Sequence, residues 1–280
     1  MKKILSLLFA LTMAVGLCAC GGTTDDASSD DTEPAGEPVV LKIAASPTPH
    51  AEILQQVVSI LAEQNITLEI TEYGDYVIPN TAVEEGDENA NYFQHGPYLD
   101  QFNKENGTHL VSVAKVHYEP MGVYAGMTAT LEELPDGAVI AVPNDATNEA
   151  RALLLLESLG LIELNPEAGL DATPNDITSN PKNLQFKELE AAMLPQTIEE
   201  VNLSVINANY ALQADLSPAE DALAIESSDS EAAQTYANII VVKEGDENNE
   251  AVLALIEAIQ SDAVRDFINE TYSGSVVPMF

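Results

Sequence analysis

Val39-Val40-Leu41-Lys42-Ile43-Ala44-Ala45, then Ser46-Pro47-Thr48-Pro49, then Ile53, Leu54, Val57, Ile60 and Leu61: this stretch decides the fold class. The first seven residues form a short apolar run with one Lys and read as a buried strand. A Ser/Pro/Thr turn closes it, and the five aliphatics that follow recur at helical spacing. Strand, turn and helix are the unit of an α/β sheet. The rest of the chain repeats the unit. Strands are expected at 66–70, 110–116, 138–142, 203–206 and 239–242. Helices are expected at 97–106, ended by Gly107, and at 145–159, ended by Gly160. Val252, Leu255, Ile256 and Ile259 mark a late helix, with Asp246 and Glu247 expected near its positive N-terminus. Residues 165–183 read as a long polar surface loop. Residues 273–280 show no period and are expected to lie along the body without forming an element.

Outward from this body, composition narrows the choices. The chain has 280 residues, a 46% hydrophobic fraction and a net charge of -36 from 10 Lys+Arg against 46 Asp+Glu. The apolar content is ample for a packed core and rules out general disorder. The charge argues against a nucleic-acid partner and against adhesion to anionic lipid through a basic patch, since both need clustered Lys and Arg.

The N-terminus reads as an address. Lys2 and Lys3 precede a fourteen-residue apolar run, 4–17, which is shorter than the about 20 residues that span a bilayer and suits a signal-peptide core. It ends in Leu17-Cys18-Ala19-Cys20-Gly21, which resembles a bacterial lipobox. The expectation is a signal peptide over 1–19, acylation of Cys20, and a solvated acidic tether over 20–38 with a reach of about 20–25 Å. An ordinary secretory signal or an uncleaved anchor is the other reading. Both cysteines lie in this region, so the body contains neither disulfide nor thiolate chemistry.

Chemistry is legible in what is scarce. The chain has two arginines. Arg265 lies among Asp262, Asp266 and Glu270 and reads as a solvated ion pair. Arg151 follows a strand and sits in the first turns of a helix, in Pro143-Asn144-Asp145-Ala146-Thr147-Asn148-Glu149-Ala150-Arg151. A helix N-terminus attracts anions, and an Arg fork beside it can hold a carboxylate. A salt bridge to Glu149 or another acid is the alternative. Six of nine tyrosines fall between Tyr73 and Tyr124, densest in Tyr73-Gly74-Asp75-Tyr76 and Tyr92-Phe93-Gln94-His95-Gly96-Pro97-Tyr98. They suit either a pocket for a small apolar side chain or a half-buried core. Asn207 ends one strand and Asn238 opens another, as ligand contacts or as turn residues. His50, His95, His109 and His117 show no metal-ligand spacing, and no GxSxG, Walker A or GxGxxG is present. Neither a metal, a cofactor nor an enzymatic activity is therefore expected, a surface hydrolase being the enzyme alternative and an adhesin a further one.

Several stretches together resemble the methionine-binding lipoprotein family, also called the NlpA or MetQ family, the substrate-binding subunits of ABC importers. They are Asp75-Tyr76-Val77-Ile78-Pro79-Asn80, Asn91-Tyr92-Phe93-Gln94-His95-Gly96-Pro97-Tyr98-Leu99-Asp100, Glu119-Pro120-Met121-Gly122-Val123-Tyr124, Val142-Pro143-Asn144-Asp145 with Thr147-Asn148 and Arg151, Asn180-Pro181-Lys182-Asn183-Leu184, and Val205-Ile206-Asn207 with Tyr210-Ala211. The match runs in order through nearly the whole body. After Tyr124 the chain departs from the family's usual Ser and basic residues and reads Ala125-Gly126-Met127-Thr128.

The resemblance implies an α/β, two-lobed periplasmic-binding-protein fold of type II kind with ligand in the inter-lobe cleft. Lobe 1 would comprise 39–123 plus about 231–280, and lobe 2 124–230. It implies capture of L-methionine or a close analogue and delivery to a membrane permease with its ATPase subunit, from a lipid anchor on the extracytoplasmic side of the cell membrane. The alternative is the same fold binding a methionine-containing dipeptide or another small amino acid. Arg151 would pair with the ligand carboxylate. Asn207 and Asn238 would bond the amino-acid head, with Asn148 a further polar contact. Tyr76, Phe93, His95 and Tyr98 would surround the thioether.

Overall fold

The computed structural model describes residues 37–227 and 231–280. The expected signal peptide, Cys20 and nearly all of the tether lie outside the described residues. Among the described residues no helix is long and apolar enough to cross a membrane.

Two sheets organise the chain. The six-stranded sheet contains β1 (Val39–Ala45), β2 (Ile66–Glu72), β3 (Ala90–His95), β4 (Leu110–Tyr118), β12 (Asn238–Lys243) and β13 (Val277–Pro278), in the order β13-β4-β12-β3-β1-β2. The five-stranded sheet contains β5 (Gly122–Ala125), β6 (Val139–Pro143), β9 (Gln185–Leu189), β10 (Leu203–Ile206) and β11 (Ala224–Ile225), in the order β11-β5-β10-β6-β9. A ribbon of β7 (Glu163–Leu164) and β8 (Ile177–Ser179) stands apart. Between the sheets the chain passes twice, at 119–121 and again between β11 and β12. The expected border at 123/124 cuts through β5, all four residues of which belong to the second sheet.

The opening motif is a strand and helix as expected. β1 pairs in parallel with β2 and β3. The helix after it is broken into α1 (Glu52–Gln55) and α2 (Val58–Glu63), yet Ile53, Leu54, Val57 and Leu61 are all buried. They pack with α8 (Glu250–Ile259) and α9 (Asp262–Tyr272) into the core of the first sheet. The second sheet's core is β5, β6 and β10 against α5 (Ala146–Ser158), whose Leu153, Leu155 and Leu156 are buried. Burying such side chains stabilises by about 1.5–3 kcal/mol each. The remaining helices are α3 (Ile78–Glu85), α4 (Gly96–Asn106), α6 (Ala208–Gln213) and α7 (Glu231–Thr235). α4 stops where expected, at Gly107 with φ 66.

Two expectations need correction. Residues 273–280 do form an element, since β13 pairs antiparallel with Tyr118 and His117 at a sheet edge. The polar stretch 165–183 carries β8, pinned to β7, and two 3-10 turns. Asp246 and Glu247 lie before the late helix, which Asn249 caps by accepting from the backbone N–H groups of Ala251 and Val252.

Candidate functional site

β3 has all six residues buried, although Asn91, Gln94 and His95 are polar. Its pairing with β12 skips a residue: Ile239 faces Gln94 and Ile240 faces Tyr92, so Phe93 is the extra residue of a β-bulge. A bulge breaks the strict alternation of faces and re-aims side chains. Phe93, Gln94 and His95 thereby all line one cavity. His95 also caps α4, its Nδ1 accepting from the backbone N–H of Tyr98 at 3.2 Å. Its Nε2–H donates to Asn148 Oδ1 at 3.1 Å. Burial, helped by the nearby Arg151 charge, pushes the His95 imidazole down to about 3, so the ring is neutral.

An aromatic wall forms around Tyr76. Its ring lies 5.8 Å from Phe93, 5.7 Å from Tyr98 and 4.9 Å from Tyr210, centroid to centroid. These spacings are those of favourable edge and tilted ring pairs. The Tyr98 hydroxyl donates to the Tyr76 carbonyl at 3.0 Å, and the Tyr76 hydroxyl to Asn209 Oδ1 at 2.6 Å. The second bond ties the segment before α3 to α6, and so one sheet's loops to the other sheet's helix.

Opposite stands α5. Asp145 caps it, accepting from the Asn148 backbone N–H at 3.0 Å and the Asn148 amide at 2.9 Å. Asn148 Oδ1 in turn accepts from both His95 and Asn207 Nδ2, the latter at 2.8 Å. Asn148 is therefore a hub that orients its two neighbours. One turn on, Arg151 is 4% exposed. Its Nε and Nη2 donate to the two oxygens of Glu226 at 2.9 and 2.5 Å, and Nη2 also to the Glu119 carbonyl at 2.8 Å. The guanidinium carbon sits 4.4 Å from the Tyr236 ring centroid. Burial opposes the Arg151 charge, but the Glu226 carboxylate outweighs it and holds the group protonated. Burial likewise opposes ionisation of Glu226, and Arg151 outweighs it there too, keeping that carboxyl below its usual range. The expected salt bridge and the expected pocket position of Arg151 are both present, with Glu226 in place of Glu149 as partner.

Behind Asn238 lies a cluster that the sequence did not announce. His50 Nε2–H donates to Asn238 Oδ1 at 3.0 Å. His117 Nε2–H donates to Glu119 Oε1 at 2.6 Å, while its Nδ1 accepts from the Tyr92 hydroxyl. Glu119 Oε1 is 3.4 Å from His50 Nε2. Burial pushes His50 down to about 4 and His117 to about 3. Burial pushes the Glu119 carboxyl up, with His50 and Arg151 opposing. Of all groups among the described residues, only His50, His117 and Glu119 gather ligand atoms within 4.8 Å of one another. Their hydrogen bonds satisfy one consistent set of neutral tautomers, and the trio reads as a hydrogen-bonded cluster.

All eight residues expected at the site, Arg151, Asn207, Asn238, Asn148, Tyr76, Phe93, His95 and Tyr98, line the same cavity of about 340 Å³, its mouth included. Gln94, Glu119, Ala208 and Asn209 line it as well. Among the described residues Asn209 Nδ2 and Asn207 Oδ1 are buried without hydrogen-bond partners. Buried polar atoms are rarely left so. The cavity thus offers one unpartnered amide donor, Asn209 Nδ2, and one unpartnered amide acceptor, Asn207 Oδ1, beside the Arg151 guanidinium and the Glu119 carboxyl.

The NlpA lipoprotein family model matches residues 41–280. The chain belongs to the NlpA lipoprotein family. Within the NlpA family, it is 39% identical over 283 residues to the methionine-binding lipoprotein MetQ of Bacillus subtilis, covering 100% of this chain and 99% of that protein. Among solved structures it resembles a lipoprotein of Ruminococcus gnavus, with 54% identity, TM-score 0.85, and 86% and 99% of the two chains covered. It also resembles a nutrient-binding protein of Burkholderia cenocepacia bound to methionine, with 42% identity, TM-score 0.81, and 86% and 100% covered. The NlpA fold seen here is accordingly the two-lobed α/β fold of substrate-binding proteins.

Proposed function

We propose that this chain captures methionine in the cleft between its sheets and hands it to an ABC permease and ATPase, held to the extracytoplasmic face of the cell membrane through an acylated Cys20. Lobe 1 is then 39 to about 120 with about 231–280, and lobe 2 the segment between. One observation carries the reading: a buried amide donor, Asn209 Nδ2, and a buried amide acceptor, Asn207 Oδ1, both without partners among the described residues, line one cavity with a wall of aromatic rings. Buried polar groups need partners, and a zwitterion supplies an anion and a cation together. Arg151 and Asn238 suit its carboxylate. A thioether against Tyr76, Phe93, His95 and Tyr98 gains about 0.3–1.5 kcal/mol from sulfur–ring contact. The MetQ name of the relatives and the methionine in the Burkholderia structure agree with this ligand. The role is binding, and no group here is assigned to catalysis.

Because the walls come from both sheets, ligand favours the closed arrangement of the lobes. Calorimetry on protein refolded free of endogenous ligand tests the proposal. L-methionine should bind at one site, at least tenfold tighter than leucine. Silence toward every amino acid and every methionine-containing dipeptide would end it, and tighter binding of a dipeptide would reassign the ligand.

A further inference from the structure

We infer that three buried amides, Asn80, Asn91 and Gln94, form a positioning triad that fixes the width of the cavity at its aromatic wall and so excludes side chains longer than that of methionine. The inference rests on the methionine reading above. The three residues are 0%, 0% and 3% exposed. Asn80 and Gln94 exchange a reciprocal pair of bonds. Asn80 Nδ2 donates to Gln94 Oε1 at 2.9 Å, and Gln94 Nε2 donates to Asn80 Oδ1 at 2.6 Å. Asn91 closes the circuit. Its Nδ2 donates to Asn80 Oδ1 at 2.9 Å and to the Pro79 carbonyl at 3.4 Å, and its Oδ1 accepts from Gln94 Nε2 at 2.9 Å. Among the described residues no polar atom of the three is buried without a partner. Gln94 lines the cavity, yet both its amide hydrogens are committed inside the triad. Asn80 and Asn91 do not line it.

The triad straddles the bulge. In a regular strand, residues three apart point to opposite faces, so Asn91 and Gln94 would not meet. They meet because Phe93 is the extra residue between them. The Asn91–Gln94 bond and the bulge therefore require each other, and the bulge is what aims Phe93 into the cavity. Asn80 extends the constraint to a second ring. It lies in the first turn of α3, four residues after Tyr76, and its bonds clamp that turn to β3. The Tyr76 and Phe93 rings, 5.8 Å apart, are thus placed by the same three side chains. Apolar residues would fill these positions without fixing them, because hydrophobic contact is non-directional whereas an amide bond demands a distance and an angle.

Calorimetry tests the inference by comparing L-methionine with L-ethionine, whose thioether carries one more methylene, on wild type and on Asn91→Ala. Asn91 lies off the cavity lining, so a change in preference must pass through the residues it positions. Wild type should prefer methionine by roughly 30-fold, since one extra methylene in a fitted pocket is worth about 10–200-fold. Asn91→Ala should reduce that preference about tenfold. Asn80→Ala should do the same, and the double variant should lose no more than either single one, because one missing amide already opens the circuit. Lower thermal stability with the preference unchanged would make the triad structural and overturn the inference, as would a wild type that does not discriminate. Should Asn91→Ala not fold, Asn91→Ser, which keeps a short polar group, serves with the same criterion. If wild type binds another amino acid and neither thioether, the ligand reading fails, and the triad is tested with that amino acid and its homologue one methylene longer.

Discussion

Removing the guanidinium of Arg151 would strand Glu226, whose other contacts are the Tyr118 hydroxyl and the Met121 backbone N–H, both at 2.8 Å. A buried charge stripped of its partner costs about 3–5 kcal/mol. Arg151→Ala should lower the unfolding free energy of ligand-free protein by that amount in urea titrations. Arg151→Met combined with Glu226→Gln should recover more than half of it and still fail to bind methionine within tenfold of wild type. Recovery of both stability and affinity would show that the Arg serves packing alone. The residues missed from sequence share one trait. Glu119, Asn209 and Glu226 are acids and amides in a chain with 46 Asp+Glu, where residue type carries no signal. Arg151 stood out because arginine is rare here, and Asn209 could have been found only from its place two residues after Asn207.

At the scale of elements, α5 holds an unspent tension. Glu149 Oε1 is buried without a partner. Burial, with Glu188 and Asp145 nearby, pushes its carboxyl up to about 7. A folded-state value above the unfolded one contributes stability at low pH that is lost as pH rises through 7. Glu149→Gln should therefore raise the unfolding free energy at pH 8 more than at pH 5, by up to about 1 kcal/mol after solvent screening. A rise that is equal at both pH values would exclude this origin. Gly126, at the departure from the family pattern, has a plain reason. A Cβ there would lie 2.3 Å from the Val201 carbonyl oxygen and 2.4 Å from that of Ile198. Gly126→Ala should cost about 1–3 kcal/mol, measured by denaturant midpoint. Strands were legible where they were apolar, as in β1, β6, β10 and β12. β3 shows no strand period in sequence because both its faces are buried and one carries amides: Asn91 and Gln94 bond each other and Asn80 of α3. No hydrophobic period can reveal a strand whose inward side chains are polar.

For the whole molecule, the three buried imidazoles set the acid limit. His50, His95 and His117 have folded-state values near 4, 3 and 3 against an ordinary 6.5. Unfolding lets them take up protons below pH 6.5, so their contribution is full above that value and falls as pH drops toward 3–4. Glu149, and the raised carboxyls of Glu119 and Asp145, act in the opposite sense. Between pH 6 and 5 the balance should be an uptake of about one to two protons on unfolding, a loss of about 1.4–3 kcal/mol per pH unit. Urea titrations at pH 5, 6 and 7 measure it, and an unchanged midpoint would mean that the imidazoles are charged in the folded protein.

The strand order carries a last implication, for how such a molecule is born. β12, residues 238–243, is slotted between β3 and β4, and β13 seals the far side of β4. Until residues 238–243 have emerged, β3 and β4 stand with raw borders and a strand-wide gap between them. Exposed borders of that kind invite pairing with foreign chains, and distant partners slow the search for the native arrangement. Completion of this sheet therefore waits on β12, and a premature stop anywhere before residue 238 should yield a sticky fragment instead of a smaller working protein.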